Sequence, residues 1–123
     1  MNTDYQPHIV LHTTGRAPSE AARILSLADY VVTKVSDGAM ILKLAETVPI
    51  SVIVIEPPCG RVLTALEANP VTARIPTLCL TSHLFLLQPL GLFTEVMDPS
   101  KIHDDLVGAV DRLLIDRGRS AVA

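Results

Sequence analysis

Glu56 is the side chain best placed for chemistry in this sequence, because it directly follows a strongly apolar run, SVIVI, at residues 51–55. His12 follows a shorter run at residues 8–11, and His83 comes soon after a third run at residues 77–80. Two histidines and a carboxylate can ligate Zn²⁺ or Fe²⁺, and a carboxylate with a raised pKa can act as a general base. The simpler alternative is a hydrogen-bonded pair of His12 and Glu56 within the fold.

Cys59 lies in the turn after Glu56, where the N-terminus of a helix could lower the pKa of its thiol and make it a nucleophile. A single Cys-Gly pair in a turn is a weak signal for such a role. Cys79, inside the run at residues 77–80, is expected to pack in the core. The sequence begins without a signal peptide and predicts a cytoplasmic protein, in which a disulfide between the two cysteines is not expected.

The elements that must position these side chains alternate between strands and helices. Apolar, β-branched runs predict strands at residues 8–11, 30–35, 51–55, 77–80 and 90–96. Apolar residues at helical spacing predict helices over residues 20–28, 38–47 and 61–68, and a long one that begins near residue 100. This alternation predicts an α/β domain with a doubly wound, five-stranded parallel sheet and helices on both faces. Ligands of such sheets bind where the strands end, which is where Glu56 lies.

Length and charge narrow the possible functions. The 123 residues make one domain, with residues 1–117 expected to fold and residues 118–123 expected to form a flexible tail or the start of a linker. A net charge of −3 without a central cluster of Lys and Arg argues against nucleic-acid binding. The uncharged stretch of residues 76–93 is interrupted by prolines and a glycine, so it predicts buried strands and not a membrane helix.

Four segments follow the pattern of a known family in their order and spacing. They are KVSDGAMILKLAE at residues 34–46, VIVIEPP at residues 52–58, NPVTARIPTLCLTS at residues 69–82 and FTEVMDPSKIHDDLVGAV at residues 93–110. With them, the chain resembles a response-regulator receiver domain from about residue 8 to residue 114. The resemblance implies the flavodoxin-like strand order 2-1-3-4-5 and a role in two-component or phosphorelay signalling.

Receiver chemistry needs an acid pair after the first strand for Mg²⁺, a phosphoacceptor Asp after the third, a Thr or Ser after the fourth and a Lys after the fifth. The resemblance puts His12 and Thr13 at the acid-pair positions and Glu56 at the acceptor position. Thr81 matches its position, whereas Glu95 replaces the lysine. Mg²⁺ prefers carboxylate oxygens, and the extra methylene of Glu56 moves its carboxylate by about 1.5 Å. Mg²⁺-dependent phosphorylation is therefore not expected.

The stretch after Thr81 is short for a receiver, because residues 82–89 allow only about two helical turns. The family's fourth helix is therefore expected to be shortened or missing. Leu84, Phe85, Leu86 and Leu87 form either an exposed apolar face for a partner or a cover over the sheet.

The sequence thus predicts a pseudo-receiver, a signalling module that is not an enzyme and that needs neither cofactor nor metal. Its expected partner is a signalling protein, a fused output domain or a second copy of the chain, and neither nucleic acid nor membrane. Glu56 would accept hydrogen bonds from Thr81 or His12, mimic a phosphoryl group by its fixed charge, or act as a base. The alternative function is a small-ligand or metal-binding α/β domain that uses His12, Glu56 and His83.

Overall fold

The computed structural model describes residues 7–13, 19–57, 59–81 and 94–122, with side chains as far as residue 115. Five parallel strands form one sheet: β1 (His8–His12), β2 (Val31–Val35), β3 (Val52–Ile55), β4 (Thr77–Leu80) and β5 (Thr94–Met97). Their order across the sheet is β2-β1-β3-β4-β5, so the predicted flavodoxin-like α/β fold is confirmed. The first part of the predicted fifth strand, residues 90–93, lies outside the described residues.

Four α-helices connect or follow the strands in the described part of the chain: α1 (Glu20–Leu27), α2 (Gly38–Thr47), α3 (Gly60–Ala68) and α4 (Ile102–Val122). The caps follow from sequence: the Ser19 side chain accepts from the Ala22 N–H, and the Asp37 side chain accepts from the Ala39 N–H. Helix α4 continues to Val122, past Gly118, where the sequence predicted a flexible tail. One glycine costs a helix only about 1 kcal/mol and does not end it.

The helices cover both faces of the sheet and create two apolar layers. On one face, α1 and α4 pack against the strand residues Ile9, Leu11, Val52, Val54, Leu78 and Leu80. On the other face, α2 and α3 pack against Val10, Val35, Ile53, Ile55 and Cys79. Strand β3 lies between β1 and β4 and is fully buried, which explains why its sequence is apolar at every position.

The strand register aligns one residue from each strand in a row at the carboxyl edge of the sheet. We call this row, which consists of Val35, His12, Ile55, Cys79 and Val96, the last row. Its apolar members belong to the layer covered by α2 and α3. Because successive strand residues alternate between faces, the next residues along the chain turn toward α1 and α4.

Two further predictions meet the limits of the described chain. The fourth helix of the family was expected to be shortened or missing, and an apolar segment was predicted at Leu84 to Leu87. Both predictions concern residues that the structure does not describe. None of the helices in the described part combines the length and the apolar content needed to span a membrane.

Candidate functional site

The candidate site lies at the edge of the sheet where the strands end, and His12 is its most buried polar residue. His12 is only 3% exposed, because it sits in the last row between Val35 and Ile55. Burial lowers the pKa of His12, and the nearby carboxylates of Asp37 and Glu56 offset this effect only in part. The imidazole is therefore neutral at physiological pH.

One nitrogen of that ring is left without a partner. The Nδ1 atom of His12 is buried and makes no hydrogen bond to the residues that the structure describes. Leaving a buried polar atom unsatisfied costs about 1–3 kcal/mol. Such an atom is a candidate contact for a water molecule or a ligand at this edge.

Glu56 is held by the beginning of α1. The Ser19 hydroxyl donates a hydrogen bond to Oε2 of Glu56 at 2.6 Å, and Oγ of Ser19 accepts the Ala22 N–H at 3.1 Å. One hydroxyl thus caps α1 and binds the carboxylate at the end of β3. The N-terminus of α1 also carries partial positive charge, which attracts the carboxylate of Glu56.

His12 and Glu56 are neighbours through their backbones. The Glu56 N–H donates to the carbonyl oxygen of His12 at 3.0 Å, which extends the β1–β3 pairing by one residue. Strand alternation then turns the Glu56 side chain toward α1, away from the face that Ile55 and Cys79 occupy. The two residues are therefore neighbours in the sheet, but their side chains leave it on opposite faces, and the observed hydrogen bond to the Glu56 carboxylate comes from Ser19.

Thr13 and Thr81 lie at the same edge as predicted. The Thr13 N–H donates to the carbonyl oxygen of Val35, and the Thr81 N–H donates to that of Met97, both at 2.9 Å. Each threonine is half-buried and follows directly on the end of its strand. The structure thus places His12, Thr13, Glu56 and Thr81 along one rim.

Glu95 lies within β5 and not on this rim. It pairs with Leu78 inside the sheet, and its carboxylate binds Arg112 of α4 at 3.3 Å. Strand spacings put its Cα about 12 Å from that of Glu56. The reason is that β5 ends at Met97, two residues beyond Glu95.

A groove of about 580 Å³ runs between the end of β5 and the first half of α4. Its lining comprises Val96, Met97, Asp98, Lys101, Asp104, Asp105, Gly108, Ala109 and Arg112. Three carboxylates face two basic groups there, and Arg112 already pairs with Glu95. The groove therefore carries more acidic than basic side chains.

The metal alternative has little support in the described part of the chain. His83 lies outside the described residues, and the described His, Cys, Asp and Glu side chains include no group of three that could hold a metal ion. Cys59 is placed directly before α3, as the sequence predicted, but it is buried against Cys79 and does not face solvent.

Two contributors to the site escaped the sequence reasoning. Ser19 lies directly before the helix predicted at residues 20–28, and a helix that follows β1 begins at the same edge as Glu56. No sequence pattern indicated a role for Arg112, because its pairing with Glu95 depends on how α4 lies against β5.

Comparison with known proteins gave two negative findings: no protein-family model matches this chain, and no curated protein matches it.

Proposed function

We propose that this protein is a receiver-like signalling module that acts by binding a protein partner and does not use Mg²⁺-dependent phosphorylation of Glu56. The support from the fold is the strand order 2-1-3-4-5 with helices on both faces. One fold serves many functions, so the function must follow from the site.

The observation that carries the proposal is the hydrogen bond from Ser19 to Glu56 at 2.6 Å. A phosphoacceptor must approach the donor in line, next to a metal ion that neutralises the phosphoryl oxygens. Glu56 is instead directed to the start of α1. The segment that follows β1, HTTGRAP at residues 12–18, offers no carboxylate to hold Mg²⁺ beside it.

Glu56 then serves as a permanent charge at the place where a receiver gains one. A carboxylate carries about −1, compared with about −1.5 to −2 for a phosphoryl group. Ser19 links this charge to the position of α1. The module would therefore be held in one state and not switched by a kinase.

The groove between β5 and α4 is the described surface that suits a partner best. Asp98, Asp104 and Asp105 give it an acidic rim, and Met97 and Ala109 contribute apolar area. Charge complementarity favours a partner segment that carries Lys or Arg beside an apolar side chain. The face predicted at Leu84 to Leu87 remains a prediction.

The proposal is tested by recording amide NMR spectra while Mg²⁺ and beryllofluoride, a phosphoryl mimic, are added. We expect no shifts at Ile55, Glu56 and Thr81, and no mass increase after incubation with acetyl phosphate and Mg²⁺. Titration with Mg²⁺ alone is the control for nonspecific ion effects. Shifts that spread from Glu56 to β5, or an acid-labile gain of about 80 Da, would show that the phosphorylation switch works.

The unpaired Nδ1 of His12 favours a second candidate, a small-ligand or metal-binding domain. Neutral imidazole is a common ligand of Zn²⁺. In a zinc titration, ring signals of His12 that shift and saturate, and an effect that His12→Leu abolishes, would favour this candidate. Unchanged ring signals would leave the interaction module as the better proposal.

A further inference from the structure

The two cysteines of the chain lie in different elements but meet at the carboxyl edge of the sheet. Cys59 directly precedes α3, and Cys79 belongs to the last row in β4. Cys59 is 4% exposed and Cys79 is fully buried, and both are free thiols. Both belong to the apolar layer under α2 and α3.

The Cys59 side chain lies against β4 next to Cys79. The pKa of each thiol depends on its interaction with the other thiol. The Cys59 sulfur also lies 3.4 Å from the carbonyl oxygen of Ile55 and 3.5 Å from that of Leu80. These two contacts hold the start of α3 close to the ends of β3 and β4.

The two sulfurs lie in different environments, which shift the pKa values of the two thiols in opposite directions. The interaction with Cys79 lowers the pKa of the Cys59 thiol and outweighs the opposite effect of burial. The same interaction, together with burial, raises the pKa of Cys79. Cys59 also stands at the positive end of α3, which favours a thiolate.

We propose that Cys59 and Cys79 form an oxidisable dithiol that hydrogen peroxide converts into an intramolecular disulfide. The Cys59 thiolate attacks one peroxide oxygen, the O–O bond breaks, and Cys59 becomes a sulfenic acid while hydroxide leaves. The Cys79 sulfur then attacks the Cys59 sulfur, gives up its proton and releases the sulfenic oxygen as water. Two thiols are oxidised, and one peroxide is reduced to two waters.

The disulfide would join the turn that follows Glu56 to β4 and so fasten the start of α3 to the sheet. A thiol reductant would reverse the reaction, so the bond is compatible with free thiols in a reducing compartment. This modification site is independent of the proposed partner binding, because neither thiol lies in the groove between β5 and α4.

The test treats the folded, reduced full chain with hydrogen peroxide and measures its mass without reduction. We expect a loss of about 2 Da in a monomer, reversed by a thiol reductant. Trypsin cleaves after Lys43, Arg61, Arg74 and Lys101, so the two cysteines fall in separate peptides. These two peptides should appear as one cross-linked product. Sulfenic adducts without the cross-link, a disulfide between two chains, or reaction only in urea would overturn the proposal.

Single variants test the assigned roles. Cys79→Ser should accumulate a sulfenic acid on Cys59 that a dimedone probe traps, whereas Cys59→Ser should react at least about tenfold more slowly at Cys79. Equal rates in the two variants would refute the assignment. Since both positions are buried, circular dichroism must first show that each variant is folded. The test for the cross-link in the unaltered chain decides the main proposal and does not need these variants.

Discussion

Replacing Ser19 by alanine tests whether one hydroxyl joins α1 to the candidate site. Its oxygen accepts the Ala22 N–H at 3.1 Å, and its proton is donated to Glu56 at 2.6 Å. The substitution removes both hydrogen bonds and leaves the carboxylate of Glu56 without this donor. We therefore expect Ser19→Ala to cost more than the loss of an ordinary helix cap.

The expected loss in the free energy of unfolding follows from the two hydrogen bonds of Ser19. A serine N-cap contributes about 1 kcal/mol to the free energy of unfolding. A hydrogen bond to a charged group is worth about 1.5–3 kcal/mol when buried, and we take about 1 kcal/mol because Ser19 and Glu56 are only half-buried. Ser19→Ala should thus cost about 2 kcal/mol, and Glu56→Ala, which leaves the cap intact, about 1 kcal/mol.

The assay is urea unfolding of both single variants and the double variant at pH 8, where His12 is neutral. The double-mutant cycle should give a coupling free energy of about 1 kcal/mol between Ser19 and Glu56. Asp37→Ala is the matched control, because Asp37 caps α2 by accepting the Ala39 N–H at 3.0 Å. It should cost about 1 kcal/mol and be additive with Glu56→Ala.

Two results would refute this reasoning. If the losses in Ser19→Ala and Glu56→Ala are simply additive, the hydroxyl and the carboxylate are not energetically coupled. If Ser19→Ala costs no more than Asp37→Ala, the serine acts only as a cap. Ser19→Thr keeps the hydroxyl and should lose less than about 0.5 kcal/mol.

Three further substitutions test other features of the fold. Burial depresses the pKa of His12 from 6.5, so the unfolded chain binds a proton more readily than the folded chain. The free energy of unfolding should therefore fall as pH drops below 6.5. In urea titrations at several pH values, His12→Leu should flatten this dependence. Asp29 has a φ of 67°, in the left-handed region. Asp29→Ala should therefore lower the free energy of unfolding by about 1 kcal/mol, whereas Asp29→Gly should not. Equal losses in the two variants would contradict this prediction. Tyr30→Phe removes the hydrogen bond that its hydroxyl donates to Asp111, and thermal unfolding should report a loss of about 0.5–1 kcal/mol; an unchanged midpoint would mean that this contact contributes nothing.

The residues at the site show how far the sequence reasoning reached. That Glu56 follows a buried strand was predictable, because the run at residues 51–55 is apolar at nearly every position and strands buried on both faces have this pattern. The approximate ends of the strands placed His12, Thr13 and Thr81 at one rim, as observed. Glu95 lies inside the strand predicted at residues 90–96 and inside the observed β5, so its place in the pocket was implied only by the resemblance and not by the end of the strand.

The sequence by itself determined the architecture, because the alternation of apolar strands and amphipathic helices leaves a doubly wound parallel sheet as the arrangement that buries every run. The caps at Ser19 and Asp37 are local features as well, because their hydrogen bonds close within three residues. Local patterns suffice for features that depend on near neighbours in the chain.

Only the tertiary structure decided which side chains meet across the chain. The hydrogen bond between Ser19 and Glu56 spans 37 residues, and the Cys59 sulfur before α3 lies 3.5 Å from the carbonyl oxygen of Leu80 in β4. Such pairings depend on strand register and on the face that each residue takes, and a shift of one residue sends a side chain to the opposite face. Composition and periodicity do not determine which face of the sheet a side chain takes. The packing of the two apolar layers determines it.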